Sequence, residues 1–244
     1  TIEEALKMVK AGDNIVSSMA GAEPRVFLEK LHTLKGHVEN VSVTNCLPFL
    51  DASFFTDETM TDTFQVDSWF YSAALRKAHK NGNISFIPNH LHLAGVRRLD
   101  HKKPNIFVGT GTYPNKHGYL SLSLSNVYEK KMIEAADLVI LEINPNFPRT
   151  FGDLEIHESQ VDYFIETNYM PPVLPEAEPN EKDKVIGKYI ADLICDGDTL
   201  QLGIGGIPNA VAAALEDKKD LGIHTEMFTT GLMKLVKKIV CRFW

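Results

Sequence analysis

The 244 residues carry a net charge of −7, with 44% hydrophobic and 23% charged side chains. Chain and composition suffice for a folded protein with a sizeable core, and an acidic balance with no long basic block argues against nucleic acid or an anionic membrane as partner. Cys46, Cys195 and Cys241 are far apart and form no CxxC unit, so a disulfide framework is not expected and a reduced, cytoplasmic setting is; no apolar run approaches the ~20 residues of a membrane span.

In chain order, residues 1–11 read as an amphipathic helix ending at Gly12, and residues 13–18 as a turn and strand. A helix is expected over 24–34, a strand over 38–45, a helix over 68–80 and a strand over 83–87. Further strands start at Asn105 and Tyr119, a helix covers 128–136, and the most apolar strand is 138–143. Strands separated by helical stretches predict a mostly parallel, helix-covered sheet. Pro171, Pro172, Pro175 and Pro179, set among glutamates, cannot hold regular structure and mark 171–180 as a linker. The expected organisation is therefore a first α/β unit over 1–170 and a second unit over 181–244. In the second, a helix over 182–195 precedes a strand over 199–202, a helix over 208–215, a strand over 221–224 and a helix from Gly231 to Val240. Two strands cannot make a parallel sheet covered on both faces, so the second unit reads as incomplete, and aromatic residues at 240–244 fall where a domain should continue.

The glycine turn Gly203-Ile204-Gly205-Gly206-Ile207-Pro208 joins the first of those strands to its helix. Proline suits a first helical turn. Glycines there let main-chain N–H groups approach a ligand, and the helix N-terminus favours negative charge. The next strand delivers Glu226, in His224-Thr225-Glu226-Met227, to the same sheet edge. A carboxylate beside a nest of amides can attack an acyl group while the amides hold the oxyanion. The same residues admit plainer readings. The turn could be a tight strand-to-helix connection, or a dinucleotide fingerprint in which Pro208 replaces the third glycine and Glu226 the ribose ligand. Glu226 could be a surface or cap residue.

These segments resemble the acetyl-CoA hydrolase / 4-hydroxybutyrate CoA-transferase family, in which a strand-Gly-x-Gly-Gly-x-Pro-helix segment precedes a Ser/Thr-Glu-Met segment bearing the nucleophile. The resemblance extends to Ala22-Glu23-Pro24, Lys116-His117-Gly118-Tyr119, Asn144-Pro145-Asn146-Phe147-Pro148-Arg149-Thr150 and Ser159-Gln160-Val161-Asp162-Tyr163, almost the whole chain. It implies two CoA-transferase-like α/β units, the second incomplete, with this chain corresponding to the front half of such an enzyme. It implies Glu226 as nucleophile and Gly203, Ile204, Gly205, Gly206 and Ile207 as the CoA-binding and oxyanion segment. It also implies an acyl-CoA (4-hydroxybutyryl, butyryl or acetyl) and a carboxylic acid as substrates, coenzyme A as substrate rather than resident cofactor, no metal, and a homo-oligomer. Transfer would run through an acyl-glutamyl anhydride and a glutamyl-CoA thioester, with ping-pong kinetics. The alternatives are a non-catalytic fragment or CoA/partner-binding module, then an acyl-CoA hydrolase or a nicotinamide-dependent dehydrogenase.

Other residues carry two readings each. Lys116 to Tyr119 is a hairpin-like loop or a site-edge loop. Arg149 follows an apolar strand, where it could grip a carboxylate or phosphate, or is a surface arginine. Glu23 could be no more than a helix-start charge. Asp153, Glu155, His157 and Glu158 lack the spacing of a metal site.

Overall fold

A computed structural model describes residues 1–238. The expected aromatic end at 240–244, Cys241 and the last residues of the helix expected to Val240 lie outside them. The chain divides into two compact units, Thr1–Pro172 and a second beginning at Val173.

The first unit is built in the order α1 (Ile2–Leu6), β1 (Asn14–Ser17), α2 (Arg25–Lys30), β2 (Val41–Asn45), α3 (Ser53–Thr56), β3 (Phe64–Ser68), α4 (Ala73–Ala78), β4 (Ile84–Phe86), α5 (Ala94–His101), β5 (Ile106–Gly111), β6 (Tyr119–Ser121), α6 (Glu129–Ala135), β7 (Leu138–Ile143), β8 (Glu155–His157) and β9 (Tyr163–Glu166). Seven strands form one sheet in the order β4-β3-β2-β1-β5-β7-β9. Every pairing in it is parallel, while β6 and β8 make a small antiparallel pair apart from it.

Side chains alternate across a strand, so each strand feeds two faces. One face buries Ile15, Val41, Val43, Phe64, Val66 and Ile84 under apolar residues of α1 to α4, among them Phe27, Phe54 and Leu75. The opposite face buries Val16, Phe107, Val139 and Leu141 under Ala94 of α5 and Met132 and Ile133 of α6. That second cover does not extend over the far strands: Gln65 of β3 and Ser85 of β4 are exposed, and Ser42 and Asp67 half-buried. Half of the sheet thus has one apolar and one polar face, unusual for parallel strands.

The second unit comprises α7 (Glu181–Leu193), β10 (Thr199–Leu200), α8 (Gly206–Ala214), β11 (Gly222–Ile223) and α9 (Thr230–Lys237). Asn180 starts α7 with a capping box: its Oδ1 accepts the Asp183 N–H and Asp183 Oδ2 the Asn180 N–H, each at 3.0 Å. Among the described residues the parallel strands β10 and β11 are paired with each other alone. Ala191, Leu200, Val211, Leu215, Leu221, Leu232 and Leu235 form the core.

Several expectations need correction. The helix expected from Ser68 begins at Ala73 instead. The run 64–68 alternates buried Phe64, Val66 and Ser68 with more exposed Gln65 and Asp67 as a strand does, and Ser72, whose hydroxyl accepts the Leu75 N–H, is the true cap. The first helix stops at Leu6. The helix expected over 24–34 is α-helical only to Lys30 and tightens to a 3₁₀ turn over Leu31–Leu34. α3, β3, α5, β8 and β9 were not anticipated. The strands expected over 199–202 and 221–224 shrink to two residues each, since each has a partner on one side only.

Candidate active site

Because β10 and β11 run parallel, both deliver their following residues to one edge of the small sheet. The pairing continues beyond the strands: the His224 N–H donates to Leu200 O at 3.0 Å, and Thr225 Oγ1 lies 3.2 Å from Leu202 O. Leu202 immediately precedes Gly203, and Thr225 immediately precedes Glu226. The predicted nucleophile and the predicted glycine turn therefore leave the sheet side by side. Glu226 sits on a bend and is exposed, and among the described residues it has no hydrogen-bond or ion-pair partner.

The glycines of the turn differ in their reasons for being glycine. Gly205 is the N-cap of α8 with φ +125° and ψ 178°, a conformation costly for any side chain. A Cβ on Gly206 would collide with the Asp183 carboxylate, and one on Gly187 would lie 2.8 Å from Ala210 C, so both glycines let α7 and α8 approach closely. Gly203 has neither need: a Cβ there meets nothing within 4 Å, and its φ is not positive. A glycine that packing and conformation leave unexplained suits a close approach by a ligand. Ile204 and Ile207 are exposed for their size. Pro208 is the third residue of α8, inside the first turn, where no intrahelical N–H bond is lost.

Beside the turn lies a cleft of about 400 Å³, lined by Ile204, Gly205 and Asn209 on one side and Met227 to Thr230 on another. Its third wall is the irregular segment from Leu174 to Ala177. Asn209 Nδ2 donates to Ala177 O at 2.8 Å, and Lys234 Nζ pairs with Glu176 at 3.0 Å, which pins that wall. Sequence reasoning treated those residues only as a linker and passed over Asn209.

In the first unit, three buried acids organise the connections that follow the strands. Both oxygens of Glu23 accept the Phe49 N–H, at 3.2 and 3.1 Å. Burial, working against those bonds, pushes its carboxyl up to about 7. Glu23 is thus no helix-start charge at the surface. Glu142 accepts the Phe27 N–H at 2.7 Å and the Tyr169 hydroxyl at 2.8 Å. It caps α2, whose own N-cap, Pro24, offers no side-chain acceptor. Burial pushes Glu142 up to about 7 as well. Glu129 takes the N–H groups of Met19, Val127 and Tyr128 and the Ser125 hydroxyl. The sequence did signal Glu142, as the single charge within its most apolar strand.

The remaining candidates have other engagements. Arg149 donates to Glu155 at 2.6 Å and to Tyr119 O at 3.0 Å, so its guanidinium is held within the fold. Lys116 to Tyr119 closes a tight turn: Asn115 Oδ1 accepts the His117 and Tyr119 N–H groups, and Gly118 has φ +78°. His157 Nδ1 is 2.9 Å from Ser159 Oγ, and Asp153 pairs with Lys130. Among the described residues no group of three histidine, cysteine or acidic side chains could hold a metal, and no helix is long and apolar enough to cross a membrane.

Residues 1–175 match the family model of the acetyl-CoA hydrolase/transferase N-terminal domain. The chain is 38% identical over 240 residues to succinyl-CoA:cyclohexane-1-carboxylate CoA transferase of Geobacter metallireducens, covering 96% of this chain and 53% of that protein. It is 34% identical to 4-hydroxybutyrate coenzyme A transferase of Clostridium kluyveri, covering 97% and 55%. RipA from Yersinia pestis superposes with a TM-score of 0.90 at 29% identity, covering 99% of this chain and 58% of that one. The chain spans about half the length of the curated relatives it matches.

Proposed function

The chain belongs to the acetyl-CoA hydrolase/transferase family, and from that premise we propose that it serves a CoA-transferase, with Glu226 as the nucleophile. The observation that supports this reading is the Thr225–Leu202 contact, made by the residues that immediately precede Glu226 and Gly203. One Glu226 oxygen attacks the acyl-CoA carbonyl. The tetrahedral oxyanion collapses to an acyl-glutamyl anhydride and expels CoA as thiolate. The thiolate attacks the glutamyl carbonyl, freeing the first carboxylate and leaving a glutamyl-CoA thioester. A second carboxylate then reverses the steps and leaves as its CoA ester. No redox change occurs, and the thioester's energy is conserved throughout.

Main-chain N–H groups of the segment Gly203 to Ile207 are the proposed oxyanion donors, each worth ~10²–10³ in rate. Gly203, which has no packing reason to be glycine, is where the reacting group would come closest. The adjoining cleft has room for an acyl or pantetheine arm. The substrates follow the relatives in being a short-chain or small cyclic acyl-CoA and a carboxylic acid. Exposure of Glu226 supports a second outcome, hydrolysis, because water reaches a thioester formed there.

Intact-mass measurement after incubation with butyryl-CoA or acetyl-CoA tests the reading. The expected result is an adduct of CoA less one water, mapped to Glu226. Exchange without such an adduct, or an adduct elsewhere, would remove Glu226 from the mechanism.

A further inference from the structure

In the first unit, α5 presents Arg97, Arg98 and His101, and its C-cap presents Lys102, along the cleft of about 380 Å³ that they form with the uncovered polar side of the sheet. Ser42 of β2 and Asp67 of β3 make the opposite wall. The strand register explains this wall. Ser42 lies beside Asn14, and Thr44 beside Asp67, all on the face opposite Val41, Val43 and Val66. Thr44 Oγ1 is buried without a partner.

Arg98 is the decisive residue. It is 7% exposed, yet among the described residues no carboxylate bonds it. Nη1 donates to Lys102 O at 2.7 Å and Nη2 to Asn14 Oδ1, both neutral acceptors, and the Nε–H is buried with no acceptor at all. A buried charge is costly unless it is paired and hydrogen-bonded. The structural bonds to Asn14 and Lys102 account for the two Nη groups and leave the Nε side unexplained. Arg97 and Lys102 bring two further permanent charges to the same cleft, against the single carboxylate of Asp67. Three cations less one anion leave two positive charges, the charge of a phosphate dianion. A monocarboxylate would leave one unbalanced. Guanidinium edges also match phosphate oxygens in direction, and the cleft is larger than phosphate alone requires.

We propose that the cleft between α5 and the polar face of β2 and β3 binds the phosphate of a small phosphomonoester, gripped by Arg97, Arg98 and Lys102. The group could belong to a free metabolite or to coenzyme A itself, whose ribose carries one. The site lies wholly within residues 1–172 and is probed with inorganic phosphate, so its fate is separate from that of the transferase reading.

Titration calorimetry and thermal melting of the 244-residue chain with inorganic phosphate at pH 8, with sodium chloride at matched ionic strength as reference, test it. The expected result is saturable binding with a rise in melting temperature that chloride does not give. The double variant Arg97→Ala/Lys102→Ala changes two exposed side chains and keeps the Lys102 carbonyl. It should melt like the parent without phosphate and bind phosphate at least about ten-fold more weakly. Arg98→Lys, which keeps the charge but loses the fork, should weaken binding similarly. A phosphate effect no larger than that of chloride overturns the proposal, as does undiminished binding by the double variant. Competition then assigns the source: displacement of phosphate by coenzyme A but not by coenzyme A lacking its 3′-phosphate places the ribose phosphate of CoA in the cleft, failure of both to displace it leaves a free phosphomonoester as the ligand, and equal displacement by both overturns the phosphomonoester proposal.

Discussion

Glu23, Glu129 and Glu142 of the first unit are at most 2% exposed and each accepts main-chain N–H groups, whereas Glu226 of the second unit stands in solvent on a bend. The two environments suit opposite uses of one side chain. An oxygen already occupied by an amide donor holds a loop in place and is a poor nucleophile. An oxygen at a strand end, beside an unexplained glycine, is free to attack. The comparison also warns against reading burial or a raised pKa as a mark of catalysis, since structural networks perturb pKa too. The acids that burial raises, Glu23 and Glu142, are among those that organise connections.

The largest effect expected is on turnover. In full-length protein Glu226→Gln should lower CoA exchange by more than about a thousand-fold, as removal of a nucleophile does, with the circular dichroism spectrum and melting temperature unchanged. The converse holds for Glu142→Leu. It leaves the Phe27 N–H and the Tyr169 hydroxyl without their acceptor, at about 1–3 kcal/mol for each buried group left unpaired. Urea denaturation would show a large loss of stability; a loss below about 1 kcal/mol would mean that the α2 cap is supplied otherwise.

The pH dependence of stability probes the first unit next. Burial holds the Glu23 and Glu142 carboxyls at about 7 in the folded chain, against an ordinary value of 4.5. Between those limits the folded chain binds more protons than the unfolded one. Their contribution to stability is therefore fully present below about pH 4.5 and is lost as pH rises through about 7. Each pK unit corresponds to about 1.4 kcal/mol. Denaturation midpoints measured at pH 5 and pH 8 should fall with pH in the parent and change less in Glu23→Gln.

The smallest effect is the most discriminating for the turn. Gly203→Ala should alter stability by no more than about 0.5 kcal/mol, as for an open surface position, yet reduce exchange. Gly187→Ala, driven against the Ala210 backbone, should cost about 1–3 kcal/mol through overpacking and affect exchange only through stability. Equal loss of exchange per unit of stability in both variants would sink the close-approach reading of Gly203.

Legibility from sequence followed the strength of each local signal. Residues 138–143 form the expected strand because five of the six are branched and apolar and the run is buried on both faces. The parallel α/β class was legible from the alternation of such runs with helical stretches. β3 was missed because its period-2 pattern, with Gln65 and Asp67 outward, belongs to a half-covered sheet, while a continuous apolar run was expected of a parallel strand. α5 was missed because Arg97, Arg98 and Asp100 dilute its apolar stripe to Ala94 and Leu99. At the candidate site, glycine and proline punctuation made the strand-turn-helix order around Gly203 to Pro208 readable. Nothing in the sequence could show that Asn209 would reach Ala177, a contact 32 positions back along the chain.

The proline-rich segment has a consequence for handling the protein. Met170, Val173 and Leu174 are 70%, 86% and 63% exposed in backbone without regular structure, the kind of stretch where endoproteases cut. Yet Met170 is followed by Pro171 and Leu174 by Pro175, and a proline ring on the leaving-group side obstructs most serine proteases, because it fixes φ and removes the N–H. Met170 and Leu174 are thus bait without a cleavable bond, and the preceding Tyr169 is half-buried with its hydroxyl donated to Glu142. Chymotrypsin should therefore cut this stretch slowly despite its openness, and expression of each unit alone is a better way to obtain residues 1–172 than chymotryptic digestion.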